Sequence, residues 1–281
     1  MTLRPATLLK PAAQRLRAAG VASPEADART LLAGAMGVET WQLATEWTND
    51  ADAGRFQELV AARAAGWPLQ YLTGVAHFRT VSVAVGPGVF IPRPETEVVT
   101  GWAIEHLHAP GVVVELCAGS GAISLAIAAE SPGCRQFAVE RDDEAFRWLT
   151  MNCAGTAISP VQADMADALP ELVGTVDLVI VNPPYVPSRD RALVASDVLA
   201  HEPEQALFAG PDGLDSIAVV AAAAARLLRP GGWLVCEHDE THGATAPALL
   251  EATGNFEDVD GHLDLTLRPR FVTARRLQLM P

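Results

Sequence analysis

The sequence predicts an α/β fold in which a parallel sheet is covered by helices on both faces and preceded by a small helical domain. From Gly111 onward, apolar segments that fit buried strands alternate with segments of helical spacing, the pattern of a parallel sheet. Residues 1 to about 72 show helical spacing and no internal strand. The chain has 281 residues, 49% of them hydrophobic, which is enough for a main domain with a smaller one.

The N-terminal part is predicted to contain three or so short helices. The first ends at Gly20, and the second begins after Ser23, which can cap it, with Pro24 in its first helical position. A third helix fits Ala53–Ala65. We therefore assign residues 1–74 to a helical domain.

A connector is predicted between the two domains. Apolar residues recur with period two after Val75, which indicates a strand or hairpin, and Gly86-Pro87-Gly88 ends it. Ile91–Pro94 is expected to be extended, because each proline biases its predecessor away from helix. We assign residues 75–92 to this hairpin and linker, and residues 93–281 to the second domain.

Strands and helices alternate through the second domain. The predicted strands are Val112–Cys117, Arg135–Glu140, Ile158–Ala163, Val176–Val181 and Trp233–His238, followed by a closing pair at Phe256–Asp260 and Arg270–Arg276. The predicted helices are Ala122–Glu130, Asp142–Ala154, Ser216–Leu228 and Ala244–Thr253.

The charge balance and the spacing of the cysteines argue against extended nucleic-acid binding and against a metal site. Acidic residues outnumber basic ones 34 to 20, for a net charge of −14, which disfavours extended binding to phosphate backbones. Cys117, Cys134, Cys153 and Cys236 form no CxxC pair and have no histidine at metal-ligand spacing. We expect free thiols and no metal site.

The sequence gives no sign of a membrane or secretory protein. No run of ~20 apolar residues could span a bilayer. The N-terminal segment lacks the continuous apolar core of a secretory signal. We expect a cytoplasmic protein without a membrane partner.

A glycine-rich turn, Glu115–Gly121, follows the strand at Val112. Gly119 and Gly121 let the backbone turn sharply and approach a ligand, with a helix N-terminus behind them. Glu115 at the strand end suits a cationic ligand such as S-adenosylmethionine rather than a pyrophosphate. The alternative is a tight turn that only joins helix to sheet.

Two further acids end neighbouring strands. Glu140 lies about 20 residues after the glycines, where a carboxylate can accept both hydroxyls of a ribose. Asp164 could accept from an adenine amino group. Capping of the following helices is the alternative for both acids.

The segment Asn182-Pro183-Pro184-Tyr185 follows the apolar strand Val176–Val181. Neither proline has an N–H to donate, so the strand ends in a rigid row of acceptors at the carboxyl edge of the sheet. The Asn182 side-chain oxygen and the Pro183 carbonyl can hold both hydrogens of an –NH2 group, and Tyr185 can lie against a flat substrate. This arrangement favours methylation of an amide or aryl amine by position and electrostatics. A turn that merely ends the strand is the alternative.

These motifs resemble one family. The chain resembles the release factor glutamine methyltransferases (the HemK/PrmC family) over essentially its full length. The matching stretches are Pro68–Gly74, Phe90–Glu97, the glycine turn, Asn182–Tyr185, Glu202-Pro203, Gly213-Leu214, Leu228–Gly232 and Glu237-His238. Asn-Pro-Pro-Tyr alone also occurs in adenine and cytosine amino-methyltransferases, whereas Ile91–Glu97 with the helical domain is more specific.

The resemblance implies a fold and a reaction. The fold is a Rossmann-like, seven-stranded S-adenosylmethionine-dependent methyltransferase sheet with a small helical N-terminal domain that helps receive the substrate. The implied substrates are peptide chain release factors 1 and 2, methylated on the glutamine of their Gly-Gly-Gln loop, with S-adenosylhomocysteine as product. Methylation of an exocyclic amine in DNA or RNA, such as that of adenine, is the alternative enzyme; a non-catalytic cofactor-binding scaffold is a third reading.

The resemblance also implies roles for residues at matching positions. Asn182, Pro183, Pro184 and Tyr185 would grip the glutamine, with Asn182 also near the methyl donor. Three departures stand out: Glu115 replaces a frequent Asp, Cys117-Ala118 a frequent Gly-Thr, and Met165 an aromatic residue found in some members. The implied cofactor-binding residues are Glu115, Cys117, Ala118, Gly119, Ser120, Gly121, Glu140, Asp164, Met165 and Asn182.

For some polar residues the sequence allows either a functional or a structural role. Arg93 and Glu95 are either functional or part of an ion pair that holds the two domains together. Glu202 belongs to a polar segment after Tyr185 that is either a substrate lid or a solvated connection. We assign the pair Glu237-His238 to structure, because methyl transfer to a held nitrogen needs no early base.

Overall fold

The computed structural model describes residues Leu3–Gln278. Its contacts divide the chain into two units. The first runs up to Val75 and includes Ser196–His201; the second comprises Ala76–Ala195 and the chain from Glu202 onward. Residues 76–92, predicted as part of a linker, are thus counted with the second unit.

The first unit is helical and has its own apolar core. Leu16, Leu31, Leu32, Phe56 and Val60 are fully buried in it, in agreement with their helical spacing. The helices of this unit are α1 (Pro5–Ala18), α2 (Pro24–Met36), α3 (Asp50–Ala64), α4 (Leu69–Thr73) and α8 (Ser196–His201).

The N-termini of two helices in this unit, α2 and α3, differ from the sequence prediction. Ser23 makes no side-chain capping bond, so the predicted cap is wrong, and Pro24 at the first position begins α2 instead. Helix α3 begins at Asp50 rather than at Ala53, because the Asn49 side chain caps it by accepting from the N–H of Asp52 at 2.9 Å.

The second unit contains a seven-stranded sheet and a small hairpin. The hairpin pairs β1 (Val75–Phe78) with β2 (Val81–Ala84). The large sheet has the order β5-β4-β3-β6-β7-β9-β8. Its strands are β3 (Val112–Leu116), β4 (Arg135–Glu140), β5 (Ile158–Gln162), β6 (Val176–Val181), β7 (Leu228–Glu237), β8 (Phe256–Leu263) and β9 (Pro269–Arg276).

The sheet is mixed rather than purely parallel. Strands β3 to β7 are parallel neighbours, as predicted, whereas β9 runs antiparallel to both β7 and β8. The short connection between β8 and β9 explains why these two strands are antiparallel, since a parallel pair needs a long crossover. The strand order places β4, β3 and β6 side by side, so that their carboxyl ends meet at one edge.

Helices cover the sheet, and one of them was not predicted. Helix α5 (Pro94–His106) begins where the sequence suggested an extended segment. Arg93 is indeed extended, but the restriction applies only to the residue before a proline, and Pro94 itself occupies a favoured first helical position. The other helices are α6 (Ala122–Glu130), α7 (Asp143–Cys153), α9 (Asp215–Leu227) and α10 (Thr245–Ala252). No helix within Leu3–Gln278 is long and apolar enough to cross a membrane.

Strand β7 begins earlier than predicted. Its pairing with β6 starts at Leu228, and the register shifts before Trp233 pairs with Leu178. A Cβ atom on Gly232 would lie 2.9 Å from the Val176 carbonyl oxygen, so only glycine allows the two backbones to approach this closely.

Candidate active site

A pocket in the second unit lies at the carboxyl edge of the sheet, where β3, β4 and β6 end. It is lined by every candidate site residue except Gly121. The edge beyond the carboxyl ends of parallel strands is the usual ligand site of such folds. The structure thus brings together residues that are up to 70 positions apart in the chain, from Glu115 to Tyr185.

The glycine turn wraps one side of the pocket. Gly119 and Gly121 have positive φ angles of 54° and 81°, as the predicted sharp turn requires. Gly121 does not line the pocket; a Cβ there would lie 2.7 Å from Leu149 Cδ1, so its role is to let α7 pack against the turn. Cys117 also has a positive φ of 53°, an uncommon conformation for a residue with a side chain.

Glu140 is oriented by three backbone N–H groups. Its Oε2 accepts from Gly119 at 2.9 Å, and its Oε1 accepts from Arg141 at 2.8 Å and Asp142 at 2.9 Å. The capping alternative is excluded for Glu140, because the Asp142 side chain caps α7. A carboxylate has about four acceptor sites, so capacity remains for a ligand hydroxyl in the pocket.

The Glu115 carboxyl is buried and hydrogen-bonds to the protein itself. Its Oε2 accepts from both the N–H and the hydroxyl of Ser124, in the first turn of α6. Burial raises the pKa of Glu115 to about 8, partly offset by the two Ser124 hydrogen bonds. Glu115 therefore lines the pocket while also fixing the start of α6.

Asp164 and Met165 also line the pocket. Asp164 Oδ1 accepts from the N–H of Ala166 at 3.0 Å, and its Oδ2 lies 3.3 Å from Arg141 Nη1. No helix directly follows Asp164, so this bond stabilises a turn rather than capping a helix, and Asp164 remains in the pocket lining. Met165 Sδ lies 3.6 Å from Cys117 Sγ, so two sulfur side chains form this part of the wall.

The Asn182–Tyr185 segment also lines the pocket. Asn182 Nδ2 donates to Thr96 Oγ1 at 3.1 Å. The Tyr185 hydroxyl donates to Glu237 Oε1 at 3.1 Å, and the backbone N–H of Tyr185 donates to the Leu207 carbonyl. Burial raises the pKa of Tyr185, so its hydroxyl stays protonated and acts as a donor.

Thr96 and Glu237 are parts of the site that sequence reasoning missed. Thr96 lies in the unpredicted helix α5, and Glu237 was assigned to structure. Glu237 is fully buried, and burial raises its pKa to about 7. The signal for Glu237 was available: it ends β7, the neighbour of β6, at the same sheet edge as Asn182.

Arg93 holds a later segment of its own unit in place. Its Nη2 lies 2.5 Å from Glu202 Oε1, and Glu202 Oε2 accepts from the N–H of Ile91 at 3.2 Å. Both partners belong to the second unit, so this pair is not the inter-domain ion pair considered from the sequence. Gln205, three residues on, donates to Asp142 Oδ2 at 3.0 Å and lines the pocket.

Comparison with known proteins places the chain in a family. A protein of Streptomyces coelicolor named release factor glutamine methyltransferase is 48% identical over 94% of this chain and 95% of its own length. One of Mycobacterium tuberculosis with the same name is 42% identical over 100% of this chain and 94% of its own. This chain belongs to the release factor glutamine methyltransferase family.

Family domains and other relatives agree with that membership. Residues 7–74 match the PrmC N-terminal domain family and residues 81–212 match the methyltransferase small domain family. A 4-amino-L-phenylalanine/4-methylamino-L-phenylalanine methyltransferase of Streptomyces pristinaespiralis is 40% identical over 89% of this chain and 88% of its own. Among solved structures, a putative transferase of Pyrococcus horikoshii has a TM-score of 0.48 at 13% identity, over 73% of this chain and 72% of its own. Its family makes the chain a methyltransferase, and its own strands form a mixed seven-stranded sheet.

Proposed function

We propose that this enzyme transfers a methyl group from S-adenosylmethionine to the side-chain amide nitrogen of the glutamine in the Gly-Gly-Gln motif of peptide chain release factors 1 and 2. The observation that carries the proposal is one pocket lined by both the glycine turn at Gly119 and the acceptor row that begins at Asn182. A methyl donor and a planar amide need adjacent sites of these two kinds.

The residues around the glycine turn fit S-adenosylmethionine. Glu140, held by three N–H groups, is oriented to accept ribose hydroxyls, and Asp164 and Met165 supply a polar and an apolar side for the adenine. Glu115 places a carboxyl near the turn, where a cationic ligand favours its ionised form. When bound, S-adenosylmethionine supplies an electrophilic methyl group on a positively charged sulfur.

The acceptor row fits an –NH2 group. Because Asn182 Nδ2 is engaged with Thr96, Asn182 Oδ1 is the atom left to accept a hydrogen from the substrate. The Pro183 carbonyl can accept the second hydrogen. Holding both hydrogens out of the amide plane exposes the nitrogen lone pair, which resonance otherwise makes a poor nucleophile. No base is required, because the proton can leave to water after attack.

The helical unit is proposed to help bind the release factor. It presents Trp41 and Trp47 with 74% and 55% of their surfaces exposed, although tryptophan is usually well buried. Exposed aromatic side chains are common energetic centres of protein interfaces.

The competing substrate is an exocyclic amine in DNA or RNA, which presents the same –NH2 chemistry. Incubation with labelled S-adenosylmethionine distinguishes the two proposed substrates. Three acceptors are tested in parallel: release factor, release factor whose motif glutamine is replaced by alanine, and duplex DNA. We expect label only in the unaltered factor. Label in DNA, or equal label in the two factors, would overturn the proposed substrate. Free 4-amino-L-phenylalanine is a useful fourth acceptor, because a relative is named for that substrate.

A further inference from the structure

One short segment, Glu202–Phe208, contributes to the wall of the pocket, and we call it the strap. Its beginning is fixed, because the buried Glu202 carboxylate accepts the N–H of Ile91 at 3.2 Å and pairs with Arg93. The residues of the strap that line the pocket are Pro203, Gln205, Ala206 and Leu207. A ligand that fills the pocket therefore lies against the strap.

The end of the strap is tied to the acceptor row. The Leu207 carbonyl accepts the backbone N–H groups of Tyr185 at 3.1 Å and of Val186 at 2.8 Å. Since Tyr185 is the last residue of the Asn182–Tyr185 row, a movement of the strap also moves the end of the row. The exchange of these two amide hydrogens with solvent reports on the contact, because it requires their hydrogen bonds to open.

The middle of the strap is tied to the other part of the pocket through Gln205. The Nε2 atom of Gln205 donates to Asp142 Oδ2 at 3.0 Å. Asp142 in turn donates its backbone N–H to Glu140 Oε1 at 2.9 Å, while its own Oδ1 caps α7. Two hydrogen bonds thus connect the strap to Glu140, the carboxylate proposed to bind the ribose.

The middle of the strap is the part that can open. Glu204 and Gln205 are exposed, whereas Glu202 and Leu207 on either side of them are buried. Exposed ion pairs and hydrogen bonds are individually weak, and segments with few buried contacts open most readily. The Gln205–Asp142 bond is therefore the point at which the strap can lift from the pocket.

We propose that Gln205 is a positioning residue that couples the two parts of the pocket, because it holds the strap between Asp142 on one side and Tyr185 on the other. The identity of the two ligands, methyl donor and release factor, rests on the proposed function. Gln205 acts on Glu140 through Asp142 and on the acceptor row through Leu207. A donor that fixes Glu140 and the strap also orders Tyr185, so the acceptor binds more tightly once the donor is in place.

The first test needs no methyl acceptor. Hydrogen exchange at the Tyr185 and Val186 amides is measured by NMR with and without S-adenosylhomocysteine in wild type, Q205M and E204Q. Q205M removes the side-chain donor at nearly constant length, and the control E204Q breaks the exposed Arg191–Glu204 pair on the same strap. We expect the product to slow exchange severalfold in wild type and E204Q and to have little effect in Q205M.

Two results of this test would overturn the proposal: equal slowing of exchange in all three proteins, or no slowing in wild type. A wild-type protein that shows the slowing but does not methylate release factor would instead refute the proposed function and leave the coupling through Gln205 standing.

The second test measures how fast the donor site empties. Bound, labelled S-adenosylhomocysteine is chased with an excess of unlabelled product. We expect Q205M to release it about three- to tenfold faster than wild type, the change that one net hydrogen bond produces, and E204Q to release it at the wild-type rate. Equal rates in wild type and Q205M, or equal acceleration in Q205M and E204Q, would contradict the role of Gln205.

The third test measures the coupling itself. The Kd for release factor is determined with and without saturating S-adenosylhomocysteine. We expect the product to lower this Kd about three- to tenfold in wild type and E204Q, and to leave it nearly unchanged in Q205M. The same ratio in wild type and Q205M would overturn the coupling. Absence of release factor binding in all three proteins would refute the proposed substrate, while the exchange and dissociation measurements still decide the role of Gln205.

Discussion

The Glu140 carboxylate accepts the N–H of Gly119 at 2.9 Å, which ties the end of β4 to the glycine turn after β3. Two more N–H groups hold the same carboxylate, so its direction is set before any ligand arrives. Such preorganisation reduces the entropy that binding costs. Glu140 is therefore the fixed centre of the part of the pocket that we propose binds S-adenosylmethionine.

Replacement of Glu140 tests that half of the pocket. E140Q keeps the shape but loses the charge and part of the acceptor capacity, and we expect it to raise the Kd for S-adenosylmethionine by about ten- to a hundredfold, or 1.4–2.7 kcal/mol by the usual conversion. Isothermal titration calorimetry measures the change. E144Q, at an exposed glutamate two residues into α7, is the matched control and should bind as wild type. An E140Q affinity equal to that of E144Q would contradict the role of Glu140.

Replacement of Asn182 tests the other half. N182A removes the proposed hydrogen bond to the substrate –NH2 group, which would form mainly in the transition state. We therefore expect turnover to be abolished while the Kd for S-adenosylmethionine stays within about tenfold of wild type. Single-turnover kinetics and calorimetry on the same preparation give the two numbers. Full activity in N182A would remove Asn182 from the mechanism.

The Arg93–Glu202 pair predicts a stability difference. R93M leaves the Glu202 carboxylate, whose side chain is 2% exposed, without its cationic partner. Because Arg93 itself is 29% exposed, we expect a loss of about 2–3 kcal/mol in the free energy of unfolding, below the range for fully buried pairs. R191M breaks the exposed Arg191–Glu204 pair and should change stability little. Urea denaturation of both variants checks this, and equal losses would show that burial of Glu202 is unimportant.

Glu115 predicts a pH dependence of stability. Burial raises its pKa from 4.5 to about 8, so the folded protein keeps a proton that the unfolded chain releases above pH 4.5. The stabilising effect of that proton is complete below pH 4.5 and is lost as the pH rises toward 8, by up to about 1.4 kcal/mol per pH unit.

The test compares wild type with E115Q, which cannot titrate. Urea unfolding at about pH 5.5 and pH 8 should show a larger loss of stability on alkalinisation in wild type than in the variant. Parallel curves for the two proteins would argue against a protonated Glu115.

Substitution of Trp41 tests whether the helical unit binds the release factor. W41A removes a side chain that is 74% exposed, so the fold should be unaffected. We expect the KM for release factor to rise severalfold, by about 1–2 kcal/mol of lost binding, with the Kd for S-adenosylmethionine unchanged. An unaltered KM would exclude Trp41 from the interface.

Hydrophobic patterning in the sequence predicted the central strands β3 and β6 well because both are short, largely apolar runs. It did not predict α5, since that helix begins at a proline inside a proline-rich stretch and its buried face carries Thr96 and Thr100 as well as Val99. The antiparallel direction of β9 also depends on connection length, which periodicity does not report.

The position of the candidate pocket could be predicted from motifs at the ends of strands, whereas the hydrogen bonds around the pocket could not. Asn182 and Gly119 were predicted to meet because both follow strands at one sheet edge. The contacts of Asn182 with Thr96 and of Tyr185 with Glu237 cross 86 and 52 positions. No local pattern specifies partners at such separations.

Peptide mapping of the methylated release factor tests the central claim most directly. Mass spectrometry of factor treated with wild-type enzyme and S-adenosylmethionine should place one added methyl group on the Gly-Gly-Gln glutamine side chain, and factor treated with N182A should carry none. A methyl group on any other residue, or the same product from both enzymes, would contradict the account.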